Sequence, residues 1–167
     1  MCFSTVMVET LIMSTVVLVE GVSDVAALRA LGVTERIVSM GGATNVRRFV
    51  AELAPTGVRL IGLCDRNEQR FFRAVLEEFY VCDADLEDEL IRSLGVGGVE
   101  AVIEQQGDLF ALRTFQNQPA QRTRSVEEQL HRFLGTQSGR KEKYATALAG
   151  AVVDLPDPLA RLLQALA

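Results

Sequence analysis

Histidine and cysteine are scarce in this 167-residue chain, which contains one His and three Cys. The lone His131 leaves little for histidine-dependent catalysis, and the G-x-S-x-G elbow of a Ser-His-Asp hydrolase is absent, so we expect a surface or packing role for this ring. Cys2, Cys64 and Cys82 form no C-x-x-C pair, which argues against a disulfide framework or a structural zinc site and favours a reducing cytoplasm. No G-x-x-x-x-G-K-[ST] loop is present, so the sequence encodes no Walker A nucleotide site.

The chain also lacks an excess of basic over acidic residues, and it has no long apolar run. The chain carries 22 Asp+Glu against 17 Lys+Arg, so any nucleic-acid binding must be local or assisted by a metal. No run approaches the roughly 18 charge-free apolar residues that a membrane helix requires. The apolar start, residues 1–21, lacks a basic n-region and carries Glu9, and we interpret it as a leader followed by a buried strand rather than a signal peptide.

Short apolar segments alternate with amphipathic ones in the first part of the chain. The apolar segments predict strands at 14–20, 36–40, 58–64 and 79–82. The segments between and after them predict helices at 24–31, 45–53, 67–79 and 85–95, with Asp24 and Asn45 as N-caps. This alternation predicts a doubly wound α/β sheet whose functional groups lie at the carboxyl ends of the strands. Gly41 and Gly42 follow the second strand, where a tight turn is favoured over a phosphate site.

The strand pattern disappears from about residue 99, and five short helices are predicted instead. Ser125 and Glu128 form a capping box that marks the start of one of them. Net charge changes as well: residues 60–112 contain 4 Lys+Arg and 12 Asp+Glu, whereas residues 113–143 contain 7 and 3. We therefore predict an α/β core over 1–98 and a helical C-terminal extension over 99–167 that packs on the same core.

Carboxylates follow three of the predicted strands. Glu20 and Asp65 each end an apolar strand, where an unpartnered acid is costly, so a partner or a metal is expected. Asp24 begins the first predicted helix, one helical turn after Glu20, and five acids fall within residues 83–89 after the fourth strand. Those acids also suit ordinary helix N-terminal positions. Taken together, the cluster favours a hard divalent cation, Mg²⁺ or Mn²⁺.

The order of these motifs resembles a known family. V-L-V-E-G-V-S-D, M-G-G-A-T-N, L-C-D-R-N and D-L-E-D-E-L together resemble the Toprim (topoisomerase-primase) domain found at the C-terminal end of OLD-family ATP-dependent endonucleases. The resemblance runs from about residue 14 to 95, with a weaker match at S-G-R-K-E-K-Y-A. It implies an α/β, Toprim-like (Rossmann-like) three-layer fold with a central, mainly parallel four-stranded sheet.

The same resemblance implies roles for individual residues. Glu20 corresponds to a general acid or base that also ligates metal, and Lys141 to a late lysine that steadies the phosphate, with Lys143 as its competitor. Asn67 stands where many Toprim domains have a second Asp, which weakens the metal site. The implied ligands of Mg²⁺ or Mn²⁺ are Glu20, Asp24, Asp65, Asp85 and Glu87.

The function expected from this resemblance is that of a metal-dependent nuclease or related phosphotransferase acting on DNA. Four arginines of the extension are expected to guide the DNA backbone: Arg113, Arg122, Arg124 and Arg132. The resemblance implies an ABC-type ATPase module ahead of this domain, but only about thirteen residues precede the first strand, so we expect either a partner ATPase acting in trans or a chain that has lost one. Two alternatives remain: a catalytically quiet Toprim module with an interaction or regulatory role, and a receiver domain phosphorylated on Asp65. The receiver normally needs paired acids after the first strand and a lysine ending a fifth strand.

Overall fold

The structure, a computed structural model, describes residues 14–137 and 139–167. The predicted leader over residues 1–13 lies outside this range. Four parallel strands form one sheet in the order β2-β1-β3-β4. Their bounds are β1 (Thr15–Val19), β2 (Arg36–Ser39), β3 (Arg59–Asp65) and β4 (Phe79–Cys82). The predicted strands and their parallel arrangement are therefore confirmed. The described residues contain no fifth strand of the kind that a receiver domain needs.

Helices cover both faces of the sheet. In the described part of the chain they are α1 (Val22–Ala30), α2 (Val46–Leu53), α3 (Gln69–Arg73), α4 (Leu86–Gln105), α5 (Leu109–Gln116), α6 (Val126–Leu134), α7 (Arg140–Ala151) and α8 (Asp157–Leu166). Alternate residues of β1 enter different apolar cores: Val16 and Leu18 face α2 and α3, whereas Val17 and Val19 face α1 and the later helices. This alternation confirms the three-layer α/β fold.

The helical extension shares the larger of the two cores. Leu130, Tyr144, Leu148 and Leu162 are fully buried in the same cluster as the β1 residue Val17. Helix α4 also crosses residue 98, so the main chain is continuous and helical at the predicted boundary. The predicted boundary between the core (1–98) and the extension (99–167) stays a prediction. No described helix combines the length and apolar character needed to cross a membrane.

Three of the predicted helices have different bounds. Helix α1 begins at Val22 with extended Gly21 as its N-cap, so the prediction of Asp24 as N-cap was wrong. Helix α3 ends at Arg73 rather than 79, because the N–H groups of Val75 and Leu76 both bond to the carbonyl of Phe72 and turn the chain toward β4. The segments predicted at 85–95 and 99–105 form one element, α4, interrupted at Gly95 with φ 67°.

Two smaller capping predictions have different outcomes. Asn45 does precede α2, but its amide donates to the carbonyl of Met40 and makes no cap bond. Ser125 and Glu128 form the predicted capping box at α6, since each side chain bonds the other's backbone N–H.

Gly62 on β3 leaves room for the buried ring of Phe72. A Cβ at this position would lie 2.6 Å from Phe72 Cδ1 and 3.0 Å from Leu76 Cδ1. We expect Gly62→Ala to lower the free energy of unfolding by about 1–3 kcal/mol, because overpacking displaces side chains that are already closely packed. Urea denaturation measures the change. Gly97→Ala, in an exposed part of α4 with no neighbour within 4 Å, is the control and should leave stability equal or higher. An unchanged midpoint for Gly62→Ala would show that α3 moves away at no cost.

Candidate metal and active-site cleft

All six residues predicted for the site line one cleft at the carboxyl ends of β1 and β3. The two strands are adjacent and parallel, with Leu18 opposite Gly62, so the residues that follow each strand meet at one edge of the sheet. The cleft has a volume of about 120 Å³. Its lining residues are Glu20, Gly21, Ser23, Asp24, Asp65, Asp85, Glu87 and Lys141. We call it the acidic cleft.

The turn from β1 into α1 positions the first two carboxylates. Asp24 occupies the third position of α1, and its Oδ2 accepts a 2.8 Å hydrogen bond from the N–H of Gly21. Burial raises the pKa of Asp24 to about 6, against the lowering effect of that bond. Within the described residues, the buried Oε2 of Glu20 has no hydrogen-bond partner. A buried oxygen of this kind is normally paired, so the turn holds ligating capacity that no described residue satisfies.

Mutual repulsion of the acids is a second property of the cleft. Burial raises the pKa of Asp65 to about 7, and the charge of Glu20 is the next largest cause. The pKa of Glu20 is also raised, first by burial and then by Glu68. Glu68 was not among the predicted site residues, although its position three residues after Asp65 was a usable signal. Asn67 beside it is exposed and does not line the cleft.

Helix α7 brings a cation to the opposite wall. It packs along α1, and Lys141 in its first turn places Nζ 3.3 Å from Oε1 of Glu87. Glu87 is only 3% exposed, and its Oε1 has no partner in hydrogen-bond geometry despite this ion pair. Burial alone would lower the pKa of Lys141, but Glu87 and the other acids outweigh it and the pKa is raised. The ammonium group of Lys141 is therefore positively charged and lies beside the carboxylates of the acidic cleft.

Lys143, the alternative to Lys141, lies elsewhere. Its Nζ is 3.0 Å from Asp108 Oδ2, and neither residue lines the acidic cleft. The Gly41–Gly42 turn has the backbone that was expected, with φ 68° and 126°, and the N–H of Gly42 donates to the carbonyl of Glu20. That amide supports the end of β1 and is not free for a phosphate.

Asp85 is held from two sides. Oδ1 accepts the N–H of Asp88 and caps α4, and Oδ2 lies 2.7 Å from Nε2 of His131 on α6. The bond to His131 lowers the pKa of Asp85 against the raising effect of burial, and the pKa of His131 is raised by the same bond. The sequence assigned His131 only a surface or packing role. The two residues are 46 positions apart on different helices, so no local spacing pointed to the pair.

The carboxylate oxygens of the acidic cleft are suitable ligands for a hard divalent cation, although their side chains are not grouped as ligands of one ion. Carboxylate oxygens are the ligands that Mg²⁺ and Mn²⁺ prefer, and two buried oxygens, on Glu20 and Glu87, lack hydrogen bonds. Within the described residues, no three acidic, His or Cys side chains are already grouped as metal ligands. The reason is visible in the contacts: Asp24 bonds Gly21, Asp85 bonds His131, and Glu87 pairs with Lys141. Rotation of these side chains would be needed to bind an ion.

The four predicted arginines have different positions. Arg113 pairs with Glu100, with a shortest N–O distance of 2.6 Å, and does not line the acidic cleft. Arg124 and Arg132 line a depression beside Asp85 and His131, next to the acidic cleft. Arg122 is exposed and lines none of these depressions.

Ionisation of the crowded acids should destabilise the protein as the pH rises from about 4 to about 7. The Asp65 carboxyl has an ordinary pKa of 3.8 and a folded pKa of about 7, so between these values the folded state binds more protons than the unfolded state. Stability therefore falls as pH rises through this window. With EDTA present, Asp65→Asn should raise the free energy of unfolding at pH 8 by about 1–2 kcal/mol and change it little at pH 4.

Thermal and urea unfolding at both pH values measures this difference. The exposed Asp154→Asn is the control and should show the same small change at pH 4 and pH 8. A gain for Asp65→Asn that is equal at the two pH values would contradict the explanation by charge repulsion.

Comparison with known proteins agrees with this architecture. No protein-family model matches the chain, and no curated protein matches it by sequence. Solved structures do match the chain. The C-terminal region of the Burkholderia pseudomallei OLD protein superposes with a TM-score of 0.59 at 20% identity, covering 92% of this chain and 96% of that one.

A second organism gives the same result. The C-terminal region of the Xanthomonas campestris pv. campestris OLD protein superposes with a TM-score of 0.59 at 21% identity, covering 93% of this chain and 95% of that one. This chain has the fold of the OLD C-terminal region. The resemblance inferred from the sequence motifs is thereby confirmed for the fold. Because the coverage is high on both sides, the α5–α8 extension belongs to the shared architecture as well.

Proposed function

We propose that this chain is a divalent-metal-dependent nuclease, or a related phosphotransferase, that acts on DNA phosphodiesters. The observation that carries the proposal is the acidic cleft, where Glu20, Asp24, Asp65 and Glu87 converge and two buried carboxylate oxygens lack hydrogen bonds. Such an excess of acid is destabilising by itself, as the raised pKa values of Asp24 and Asp65 indicate. Buried carboxylates with perturbed pKa values that share a cleft are typical of functional sites, and a divalent cation would offset their repulsion.

Each residue has a chemical role in this proposal. Glu20, Asp24, Asp65 and Glu87 would hold the ion, with Asp85 oriented at the rim by His131. Bound Mg²⁺ or Mn²⁺ would supply positive charge for activating water and stabilising the leaving oxygen. Lys141, released from Glu87, would place its ammonium against a non-bridging phosphate oxygen. Glu20 has a raised pKa and is suited to exchange a proton with the attacking or leaving oxygen.

Plasmid cleavage tests the proposal. We expect supercoiled DNA to be nicked or linearised with Mn²⁺ or Mg²⁺, and to stay intact with EDTA. The variants Glu20→Gln and Asp65→Asn keep the shape of the cleft and remove its charge, so both should be inactive. Activity that survives both substitutions would rule out the acidic cleft. A separate ATPase acting in trans is part of the proposal and is tested by adding the candidate partner to the same assay.

The second candidate is a catalytically quiet module with an interaction or regulatory role. The contacts that occupy Asp24, Asp85 and Glu87 favour it, because they leave no preformed group of three ligands in the described residues. Calorimetry with Mn²⁺ separates the two candidates. Absence of binding at millimolar Mn²⁺ supports the quiet module, whereas binding that is lost in Asp65→Asn supports the nuclease.

A further inference from the structure

A groove on the helical extension leads away from the acidic cleft. It consists of two depressions, of about 490 and 370 Å³, that share Phe115 and Thr136 in their walls. The second depression reaches Lys141, which also lines the acidic cleft. Together they form a continuous path between α5, α6 and the start of α7, which we call the extension groove.

The charge of the extension groove is opposite to that of the cleft. Its walls carry Arg132, Arg140 and Lys141, and none of the described residues that line it is an Asp or Glu. This is unusual in a chain with a net charge of −5. A polyanion whose reacting phosphate lies in the acidic cleft would therefore meet positive charge along this path.

The groove also presents aromatic rings. Phe110 is 85% exposed at its outer end, and Phe115 lines both depressions. Phe115 packs against the buried Phe133 with ring centroids 5.7 Å apart and the rings tilted by 57°, and the guanidinium of Arg140 lies 4.3 Å from the centroid of Phe133. Basic side chains interleaved with rings are the usual means of binding single-stranded nucleic acid, because each unpaired base offers a face for stacking.

We propose that the extension groove binds a single-stranded stretch of DNA that continues from the acidic cleft, with a base stacked on Phe110 and phosphates at Arg132 and Arg140. This inference rests on the proposed function and deepens it by naming the form of the substrate. Duplex DNA is disfavoured because its bases are already stacked on one another and offer no free face to the ring of Phe110.

The absence of tryptophan from the chain provides a direct test. Phe110→Trp introduces one fluorophore at the outer end of the groove. With EDTA present, so that no cleavage occurs, a short oligothymidylate should quench its fluorescence saturably, and duplex DNA of the same length should not. The matched control is Val153→Trp, at a 91% exposed position outside the groove, whose fluorescence should be unchanged. Equal quenching of the two variants, or none in Phe110→Trp, would overturn the proposal.

Affinity measurements give an independent readout. By fluorescence anisotropy in EDTA, Phe110→Ala should bind labelled oligothymidylate at least about fivefold more weakly, the lower end of the effect of losing one stacked base. Val153→Ala should bind like the parent chain. Arg140→Gln should reduce the slope of log affinity against log salt by about 0.7, the loss of one phosphate contact. An unchanged salt slope in Arg140→Gln, together with unchanged oligothymidylate affinity in Phe110→Ala, would refute binding in the groove. Tighter binding of oligouridylate than of oligothymidylate would refute the assignment to DNA.

These measurements are independent of catalysis. Saturable quenching in Phe110→Trp, together with no DNA cleavage by the parent chain with Mg²⁺ or Mn²⁺, would keep the groove and reject the nuclease. Cleavage that depends on Glu20 without quenching at position 110 would keep the nuclease and reject the groove.

Discussion

Replacing Lys141 with methionine is expected to lower the rate of Mn²⁺-dependent DNA cleavage by about 100- to 1000-fold. Methionine retains much of the apolar stem that packs at the start of α7 and removes only the ammonium group. That group lies 3.3 Å from Glu87 and is the cation that reaches the acidic cleft from the extension. A positive charge directed at the phosphate is worth most in the transition state, where negative charge on its oxygens increases.

Metal binding separates this role from a simple loss of structure. Because Lys141 competes with an ion for Glu87, Lys141→Met should bind Mn²⁺ as tightly as the parent chain or more tightly in calorimetry. Lys143→Met is the control, since Lys143 lies on the same helix and pairs with Asp108 outside the cleft. It should retain full activity. Parallel loss of Mn²⁺ binding and cleavage in Lys141→Met would show instead that the lysine only holds the cleft together.

Replacing His131 with alanine is expected to weaken Mn²⁺ binding by about tenfold. The ring donates to Asp85 Oδ2 and holds this carboxylate at the rim of the cleft, while Oδ1 caps α4. Loss of a residue that orients a ligand usually costs metal affinity even when the ligand itself remains. His131→Gln, which can still donate a hydrogen bond, should recover part of the affinity.

A double-variant cycle tests whether the effect passes through Asp85. In an Asp85→Asn background, His131→Ala should cause no further loss of Mn²⁺ affinity. Additive losses would mean that the two residues act separately. Unchanged affinity in His131→Ala alone would show that Asp85 serves α4 as a cap and is not a ligand.

The sequence predicted the sheet well because its signals are local. Each strand is a short apolar run, and acids placed directly after β1 and β3 must meet if the two strands are parallel neighbours. The convergence of Glu20 and Asp65 on one cleft follows from that geometry. Lys141 was placed by family resemblance, and the packing of α7 on α1 brings it to Glu87.

Contacts between helices that are far apart in sequence could not be predicted from local sequence patterns. The bond from His131 to Asp85 joins α6 to the start of α4, and neither residue has a neighbour in sequence that indicates the other. The error at Asp24 has a local cause: an acid near a helix start fits both the N-cap and the third position, and Gly21 takes the cap because its extended backbone allows it. The early end of α3, where Val75 and Leu76 both bond the carbonyl of Phe72, is not marked by a Gly or Pro in the sequence between residues 67 and 79.

The packing of α7 against α1 has a consequence for synthesis. Glu20 and Asp65 leave the ribosome early, whereas Lys141 and the later helices that share the core of Val17 follow only after the sheet has been made. A partly translated chain would thus hold the carboxylates without Lys141 and without part of the apolar cover of β1. The proposed function would therefore require synthesis to have passed α7 before the centre is complete.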